Sequence, residues 1–250
     1  MKTTIITATY NSSATITSAI ESVLEQDYPN IEHLIVDGAS KDKTVEIVKS
    51  FQEEHAQIVL HSAPDKGIYD ALNKGVSMAT GDIIGFLHSD DFFADPQILS
   101  KVMQVMSDDQ VDGVFGDLKY VSAGDESKVI RYWKSRPFRS TLLKHGWMPA
   151  HPTLFLKKEV YEKHGNFDLD FRIAADYDFM LRILSDPNLK FTYLPEVITH
   201  MRVGGASNAV GNIKQKMKED LKALRKNNLP RPYLTLLRKN LSKIPQFLKK

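Results

Sequence analysis

The 250-residue chain is 42% hydrophobic and 26% charged, the composition of a soluble globular protein with room for one large α/β core or two small ones. It has no cysteine, which excludes disulfide frameworks and thiolate metal sites and fits a reducing compartment. The net charge of +2 conceals an asymmetry: residues 211–250 hold 12 Lys and Arg against Glu219 and Asp220, while the body before them is acidic at −8. A basic tail on an acidic body suits contact with an anionic surface.

In chain order, short β-branched runs alternate with amphipathic stretches, which predicts βαβ units and a largely parallel sheet. The opening residues are too polar for a secretory leader, and no apolar run reaches the ~18 residues of a membrane span, so a cytoplasmic protein is expected. A first strand over 3–9 leads to Asn11-Ser12-Ser13, capping side chains for a helix to about residue 25 with Ala14, Ala19, Ile20, Val23 and Leu24 inward. A second strand covers 31–37, then the turn Gly38-Ala39-Ser40 and a helix over 44–53. A short strand at 58–61, a helix over 69–79 and the turn Gly81-Asp82 precede a continuously apolar strand, 83–87, the mark of burial on both faces.

Asp95-Pro96 starts a helix to about 106. Residues 113–133 have strand character around a Gly124-Asp125 turn, an expected antiparallel addition to the sheet. A strand over 153–156, a helix from 158, a helix over 175–184, and strands near 191 and over 197–201 complete the body. One domain over 1–207 and a helical tail over 208–250 are expected.

Ligands of open α/β sheets bind outside the carboxyl ends of the strands. Three polar sets fall there: Thr7-Ala8-Thr9-Tyr10-Asn11, Val36-Asp37-Gly38-Ala39-Ser40 and Leu87-His88-Ser89-Asp90-Asp91. An Asp after a strand commonly serves only as a turn or helix cap. Adjacent carboxylates such as Asp90 and Asp91, however, repel unless a cation or strong donors neutralise them. An all-oxygen ligand set suits Mg²⁺ or Mn²⁺, held by one or two carboxylates and substrate phosphates.

Together these segments resemble glycosyltransferase family 2. The likeness also includes Ser40-Lys41-Asp42, Asp65-Lys66-Gly67-Ile68-Tyr69-Asp70-Ala71-Leu72-Asn73-Lys74-Gly75 and Ala174-Ala175-Asp176-Tyr177-Asp178, and runs from residue 3 to about 207. The resemblance implies an α/β GT-A fold, that of nucleotide-diphospho-sugar transferases: a mostly parallel central sheet flanked by helices, with antiparallel additions. The Asp65 segment is similar to a subgroup that builds bacterial surface polysaccharides.

The resemblance also implies roles. Thr7, Thr9, Tyr10 and Asn11 would shape the nucleotide pocket, and Asp37 would accept a hydrogen bond from the base. Asp65, Lys66 and Gly67 would form the turn beneath the donor. Asp70 and Lys74 follow on the next helix, where they are also i,i+4 neighbours suited to a surface ion pair. Asp90 would contact ribose or metal, and Asp91 would be the more direct ligand of Mn²⁺ or Mg²⁺.

An inverting transferase needs one carboxylate to take the acceptor's proton. In the family this is the Asp of a Glu-Asp pair; here the pair is Ala175-Asp176, so only the Asp carries over. Asp178, two residues on, is expected to cap or pack. His200 is a candidate to complete the metal shell and His151 to line the acceptor pocket, although an isolated His is more often structural. Arg202, ahead of the turn Val203-Gly204-Gly205-Ala206-Ser207, is a candidate phosphate contact, with that turn as a lid or a plain loop.

In the tail, Tyr233, Leu234, Leu237, Leu241, Ile244 and Leu248 fall at helical spacing with Arg238, Lys239, Lys243, Lys249 and Lys250 interleaved, and Pro245 should kink or end the helix. Such a helix lies on an anionic membrane, where lipid-linked acceptors would be presented, or packs on the body or on a second copy in a homodimer. Without a recognition motif, and with an acidic body, nucleic acid is not expected as a partner. The expected partners are thus a nucleotide-sugar donor, UDP before GDP, and a glycan or lipid-linked acceptor. A nucleotidyltransferase is the nearest rival, but Thr9-Tyr10-Asn11-Ser12-Ser13 lacks its glycine-rich basic loop; a non-catalytic sugar-nucleotide binder is the other.

Overall fold

The computed structural model describes residues 1–203 and 213–247, with the side chains of Ile244 and Phe247 excepted. Residues 204–207 of the expected lid and residues 248–250 of the expected amphipathic helix lie outside the described residues. Among the described residues nine strands form one sheet in the order β3-β2-β1-β4-β8-β6-β9-β5, with β7 paired to β6.

The strands β1 (Thr3–Thr9), β2 (Ile31–Asp37), β3 (Ile58–Ser62) and β4 (Ile83–Phe86) are mutually parallel. Every residue of β1, β2 and β4 is buried, as expected for strands sandwiched between helices. Helices α1 (Ile16–Leu24) and α2 (Thr44–Glu54) alternate with these strands, as does α3 (Ile68–Met78). Helix α3 approaches β1 closely because Gly75 has no side chain: a Cβ there would lie 2.5 Å from Ile6 Cγ2.

Four strands then extend the sheet. β8 (Phe155–Lys157) is antiparallel to both β4 and β6 (Gly113–Ser122), β7 (Asp125–Trp133) is antiparallel to β6, and β9 (Phe191–Arg202) is parallel to β6. The two expected strands near 191 and 197–201 are this one strand, bent by register shifts opposite Asp117. Strand β5 (Asp91–Phe93), antiparallel to β9, has no counterpart in the sequence reading. Three residues carry no period, and only the partner strand makes them a strand.

The capping expectation for α1 is overturned. The residue at its N-cap is Thr15, without a side-chain cap bond, and Ala14 is exposed while Ile16 and Ser22 point inward. Asn11, Ser12 and Ser13 instead stitch the β1–α1 loop to the β2–α2 loop. Asn11 adopts a left-handed φ of 51° and its N–H donates to Ser40 Oγ (2.8 Å), while its Oδ1 accepts from the Lys41 N–H (2.8 Å). The N–H groups of Ser12 and Ser13 donate to Thr44 Oγ1 and Asp42 Oδ2.

Helix α4 (Ile98–Met106) packs on β6 and β9, and α5 (Lys158–His164) and α6 (Ala175–Leu184) follow β8. Helix α7 (Ile213–Lys226) packs on α6, and α8 (Pro232–Leu241) packs on α7. Lys239, expected on the polar face of the tail, is buried: its Nζ lies 2.9 Å from Asp220 and 3.1 Å from the centre of the Tyr177 ring. Tyr233, Leu237 and Leu241 face outward instead.

Candidate active site

Parallel register brings three strand ends to one edge. Thr9 pairs with Asp37 and Asp37 with Ser62, while the Leu87 N–H donates to the Ile6 carbonyl, so the β4 exit lies alongside the end of β1. A 2.9 Å hydrogen bond between the Ser12 and Ser89 hydroxyls joins the two loops.

On the β1–β2 side, Asp37 is fully buried and accepts from the Ser40 N–H (3.0 Å), the Ser40 hydroxyl and the Ser62 hydroxyl (2.6 Å). These bonds satisfy a charge that would be costly alone. Thr9 Oγ1 is buried without a partner, whereas Thr7 shares a 3.0 Å hydrogen bond with His33 inside the sheet. Tyr10 is exposed. A Cβ on Gly38 would lie 2.5 Å from Asp65 Oδ2 and 3.4 Å from the Tyr10 ring, so glycine is what allows Tyr10, Gly38 and Asp65 to converge.

The turn before α3 is held by its own carboxylates. Asp65 accepts from the Gly67 N–H (2.8 Å) and Asp70 from the Lys66 N–H (3.0 Å), with Gly67 at φ 116°. Lys74 pairs with Asp70 (3.1 Å) and donates to the Pro64 carbonyl (2.8 Å), so it braces this turn from behind.

On the β4 side, Asp91 is fully buried at the start of β5. Its Oδ1 accepts the Arg202 N–H (3.2 Å), but Oδ2 has no partner. Burial and then the Asp90 charge push this carboxyl well above its usual range, against the pull of Arg202. An orphaned buried carboxylate oxygen beside a second carboxylate fits a divalent cation. Among the described residues no three His, Cys, Asp or Glu side chains form a metal cage. Arg202 is engaged: Nη1 donates to the Asp90 carbonyl (2.7 Å), Nε donates to Glu126 (3.0 Å), and the guanidinium lies over Phe92. His200 does not join Asp91. It pairs with Phe92, ring centres 5.1 Å apart, and adjacent strand residues point to opposite faces.

Asp176 sits in the first turn of α6. The Tyr69 hydroxyl lies 3.0 Å from its Oδ1 and 2.7 Å from the Ile173 carbonyl, fixing the carboxylate from α3. Burial alone would raise its pKa, but Lys216, His151, Lys239 and the Tyr177 N–H together hold it below the ordinary value. It is therefore ionised at neutral pH. Asp178 is fully buried and paired with Arg182 (3.1 Å), Lys226 (2.9 Å) and Asn227, the packing role expected for it.

His151 is buried beside Phe86 and Phe167 with Nε2 unpartnered, and burial pushes it down to about 4. His88, 6.2 Å from it ring to ring, is lowered by burial against the pull of Asp90 and Asp176. Two neutral imidazoles thus sit between the Asp90 and Asp176 carboxylates.

Three members of this site escaped the sequence reading. Tyr69 and His88 stood inside the matched segments without a role, since a Tyr on a helix or a His after a strand is usually packing. Glu219 stood in the tail; its Oε2 accepts the N–H groups of Ile173 (2.7 Å) and Ala174 (3.0 Å), placing a carboxylate at the start of α6, where carboxylates are favourable. No local pattern could have signalled it.

Residues 4–165 match the family described as "Glycosyl transferase family 2". A PGL/p-HBAD biosynthesis glycosyltransferase of Mycobacterium tuberculosis is 30% identical over 209 residues, 82% of this chain and 79% of that protein. Among solved structures, Staphylococcus aureus TarS 1–349 in complex with UDP-GlcNAc has a TM-score of 0.74 at 18% identity, over 97% of this chain and 73% of that one. The mannosyltransferase PcManGT of Pyrobaculum calidifontis, in complex with GDP-Man and Mn²⁺, has 0.70 at 21% identity, over 99% and 73%. Strand order, family match and these likenesses agree: the chain is a glycosyltransferase of family 2 with the GT-A fold.

Proposed function

We propose that the enzyme is an inverting, divalent-metal-dependent transferase that moves a sugar from a nucleotide-diphosphate donor to a hydroxyl of a glycan or lipid-linked acceptor in polysaccharide biosynthesis. The observation that carries this is an orphaned buried carboxylate, Asp91, together with an ionised one, Asp176, near enough that both act electrostatically on Tyr120. The nucleotide would lie over Thr9, Tyr10, Asn11 and Asp37, with Asp65, Lys66 and Gly67 beneath it and Asp90 toward the ribose. Thr7, Asp70 and Lys74 would act from behind, holding the strand and turn. UDP is proposed before GDP as the base; of the similar structures, TarS is in complex with UDP-GlcNAc and PcManGT with GDP-Man.

In this reading Asp176 accepts the proton from the acceptor hydroxyl as its oxygen attacks the anomeric carbon and the bond to the diphosphate breaks. Tyr69 keeps the carboxylate aimed, and His151 and His88 supply uncharged walls that keep water from competing. When bound by Asp91 with Asp90, Mn²⁺ or Mg²⁺ would stabilise charge on the leaving diphosphate. Arg202 would order the Asp90-Asp91 loop through the Asp90 carbonyl, and His200 would support it by packing on Phe92.

The acceptor side points to a membrane surface. Tyr233, Leu237 and Leu241 form an exposed i, i+4, i+8 stripe on α8 at 66, 56 and 53% exposure, with the exposed Arg238 beside it. Among the described residues no helix is long and apolar enough to cross a membrane, so the contact would be peripheral.

Titration of UDP, GDP and their sugars by calorimetry, with Mn²⁺ or with EDTA, tests the donor and the metal together. Uridine nucleotides should bind at least tenfold tighter with Mn²⁺; equal affinity in EDTA would overturn the metal role, and preference for GDP the base assignment.

A further inference from the structure

Helix α6, which carries Asp176, has no capping side chain of its own. Its N-cap residue is Ala174, without a side-chain cap bond. Its third residue, from which a Glu or Gln would reach back to the N-cap N–H, is Tyr177, whose ring packs under Lys239. The missing acceptor comes from α7. Glu219, 4% exposed, accepts the N–H groups of Ile173 (2.7 Å) and Ala174 (3.0 Å) with Oε2 and the Gln215 side-chain amide (2.7 Å) with Oε1. Burial would raise its pKa, but Gln215 and the N–H groups of Ile173, Arg172 and Ala174 hold it below the ordinary value. Glu219 therefore carries its full charge at neutral pH, which strengthens these bonds.

The same residue, Ile173, is gripped from the other side. Its carbonyl accepts from the Tyr69 hydroxyl (2.7 Å), which also lies 3.0 Å from Asp176 Oδ1. Burial, then the Asp176 charge, and also the Glu219 charge keep the Tyr69 hydroxyl well above its usual pKa, so it stays a donor. Residues 165–174 form neither helix nor strand, so bonds of this kind, not a sheet or helix ladder, set the direction of the first turn of α6. Two more residues of α7 hold the flanks: Lys222 donates to the Asp170 carbonyl (3.2 Å), and Lys226 pairs with Asp168 (2.7 Å) and Asp178 (2.9 Å). Of these three, Glu219 is the one that touches the residues leading directly into Asp176.

We propose that Glu219 is a positioning residue for the transfer step, holding the turn before α6 so that Asp176 faces the acceptor hydroxyl, and that α7 is thereby part of the catalytic unit. This rests on the reading of Asp176 as the base. A displacement of about 1 Å at a reacting group can cost about 100-fold in rate. The nucleotide end of the site lies on other elements, so Glu219 governs turnover and not donor affinity.

The test is steady-state release of nucleoside diphosphate by the full chain, from whichever of UDP-glucose, UDP-galactose, UDP-GlcNAc and GDP-mannose it turns over fastest. Glu219→Ala should lower kcat about 30-fold with donor affinity within about twofold. Glu219→Gln keeps an acceptor oxygen on the same stem, and Gln215 can turn its own amide to meet it, so kcat should stay within about fivefold of the parent. Lys226→Met loosens the same helix without touching Ile173 or Ala174; it should lower the melting temperature at least as far and leave kcat within about twofold. In an Asp176→Asn background, Glu219→Ala should slow the residual rate no further, because residues acting through one group are not additive. Full kcat in Glu219→Ala, an equal kcat loss in Lys226→Met, or a further loss on top of Asp176→Asn would each overturn the proposal. An active Asp176→Asn would sink the base reading itself, whereas an inactive Asp176→Asn beside a fully active Glu219→Ala would sink only the positioning role. Hydrogen exchange needs no turnover: Glu219→Ala should speed exchange over residues 173–178 and leave the rest of α7 as in the parent, and loosening spread along α7 would mark a merely structural role.

Discussion

Asp176 gains its properties from residues far away in sequence: Tyr69 on α3, Lys216 on α7 and Lys239 on α8. Asp176→Asn preserves shape and hydrogen bonding but removes the proton acceptor. It should lower kcat by at least 10³-fold while the UDP-sugar affinity stays within twofold; an active variant would remove the base assignment. Tyr69→Phe deletes the hydroxyl that holds Asp176 and the Ile173 carbonyl, a hydrogen bond worth about 1 kcal/mol. It should lower kcat roughly fivefold, leave donor affinity unchanged, and leave the pH profile close to that of the parent. Asp91→Asn should abolish the Mn²⁺ dependence of donor binding, read by the same calorimetry, because its orphaned oxygen is the one suited to a cation.

Between elements, two close contacts set the frame. Gly75 lets α3 lie against β1, and Gly75→Ala would drive a Cβ to 2.5 Å from Ile6, deep in the sheet. Overpacking of this kind costs about 1–3 kcal/mol, so the urea midpoint should fall although alanine favours helix. The second contact is the Lys239–Asp220 pair between α8 and α7, pressed on Tyr177 of α6. Lys239→Met alone would strand a buried carboxylate and should cost about 3 kcal/mol, whereas the double variant K239M/D220L should recover most of that loss or exceed the parent.

The pair also carries a pH signature. Burial pushes Lys239 down to about 7, while an unfolded lysine titrates near 10.4. Between these values the unfolded chain holds the extra proton, so this site makes the protein more stable as pH rises, by at most about 1.4 kcal/mol per pH unit. The stability of K239M/D220L relative to the parent should accordingly fall from pH 7 to pH 9 in urea titrations; a relative stability flat with pH would refute it.

Across the whole molecule, the question is what the last forty residues do. Ala223, Leu224 and Leu236 join the main core, Glu219 caps the segment that leads into α6, and Lys226 reaches Asp178. We therefore expect a chain ending at residue 207 to unfold at a much lower temperature than the full chain, or to aggregate, when followed by calorimetry. The outward stripe of α8 is separable from this. Leu237→Ser with Leu241→Ser should leave the melting temperature within a few degrees yet weaken binding to vesicles containing anionic lipid severalfold; unchanged vesicle binding in 0.15 M salt would remove the membrane assignment.

The amino-acid sequence by itself determined the parallel half of the sheet, because β-branched runs and amphipathic periods are local and strong: β1 and β2 were bounded to the residue, and α6 likewise. It also marked the Asp90-Asp91 and Asp176 carboxylates, since their motifs are short and continuous. Only tertiary structure decided the rest. Strand β5 exists because β9 pairs with it, and the Asn11-Ser12-Ser13 set stitches loops rather than capping a helix because Ser40, Asp42 and Thr44 stand opposite. His200 packs on Phe92 instead of facing Asp91 because the strand pleat alternates. In the tail, Lys239 turns inward rather than lying on the polar face, because a buried carboxylate and an aromatic ring stand on helices no local window can see. Contacts at such separations depend on how elements dock, and a periodicity along one segment carries no record of its partner.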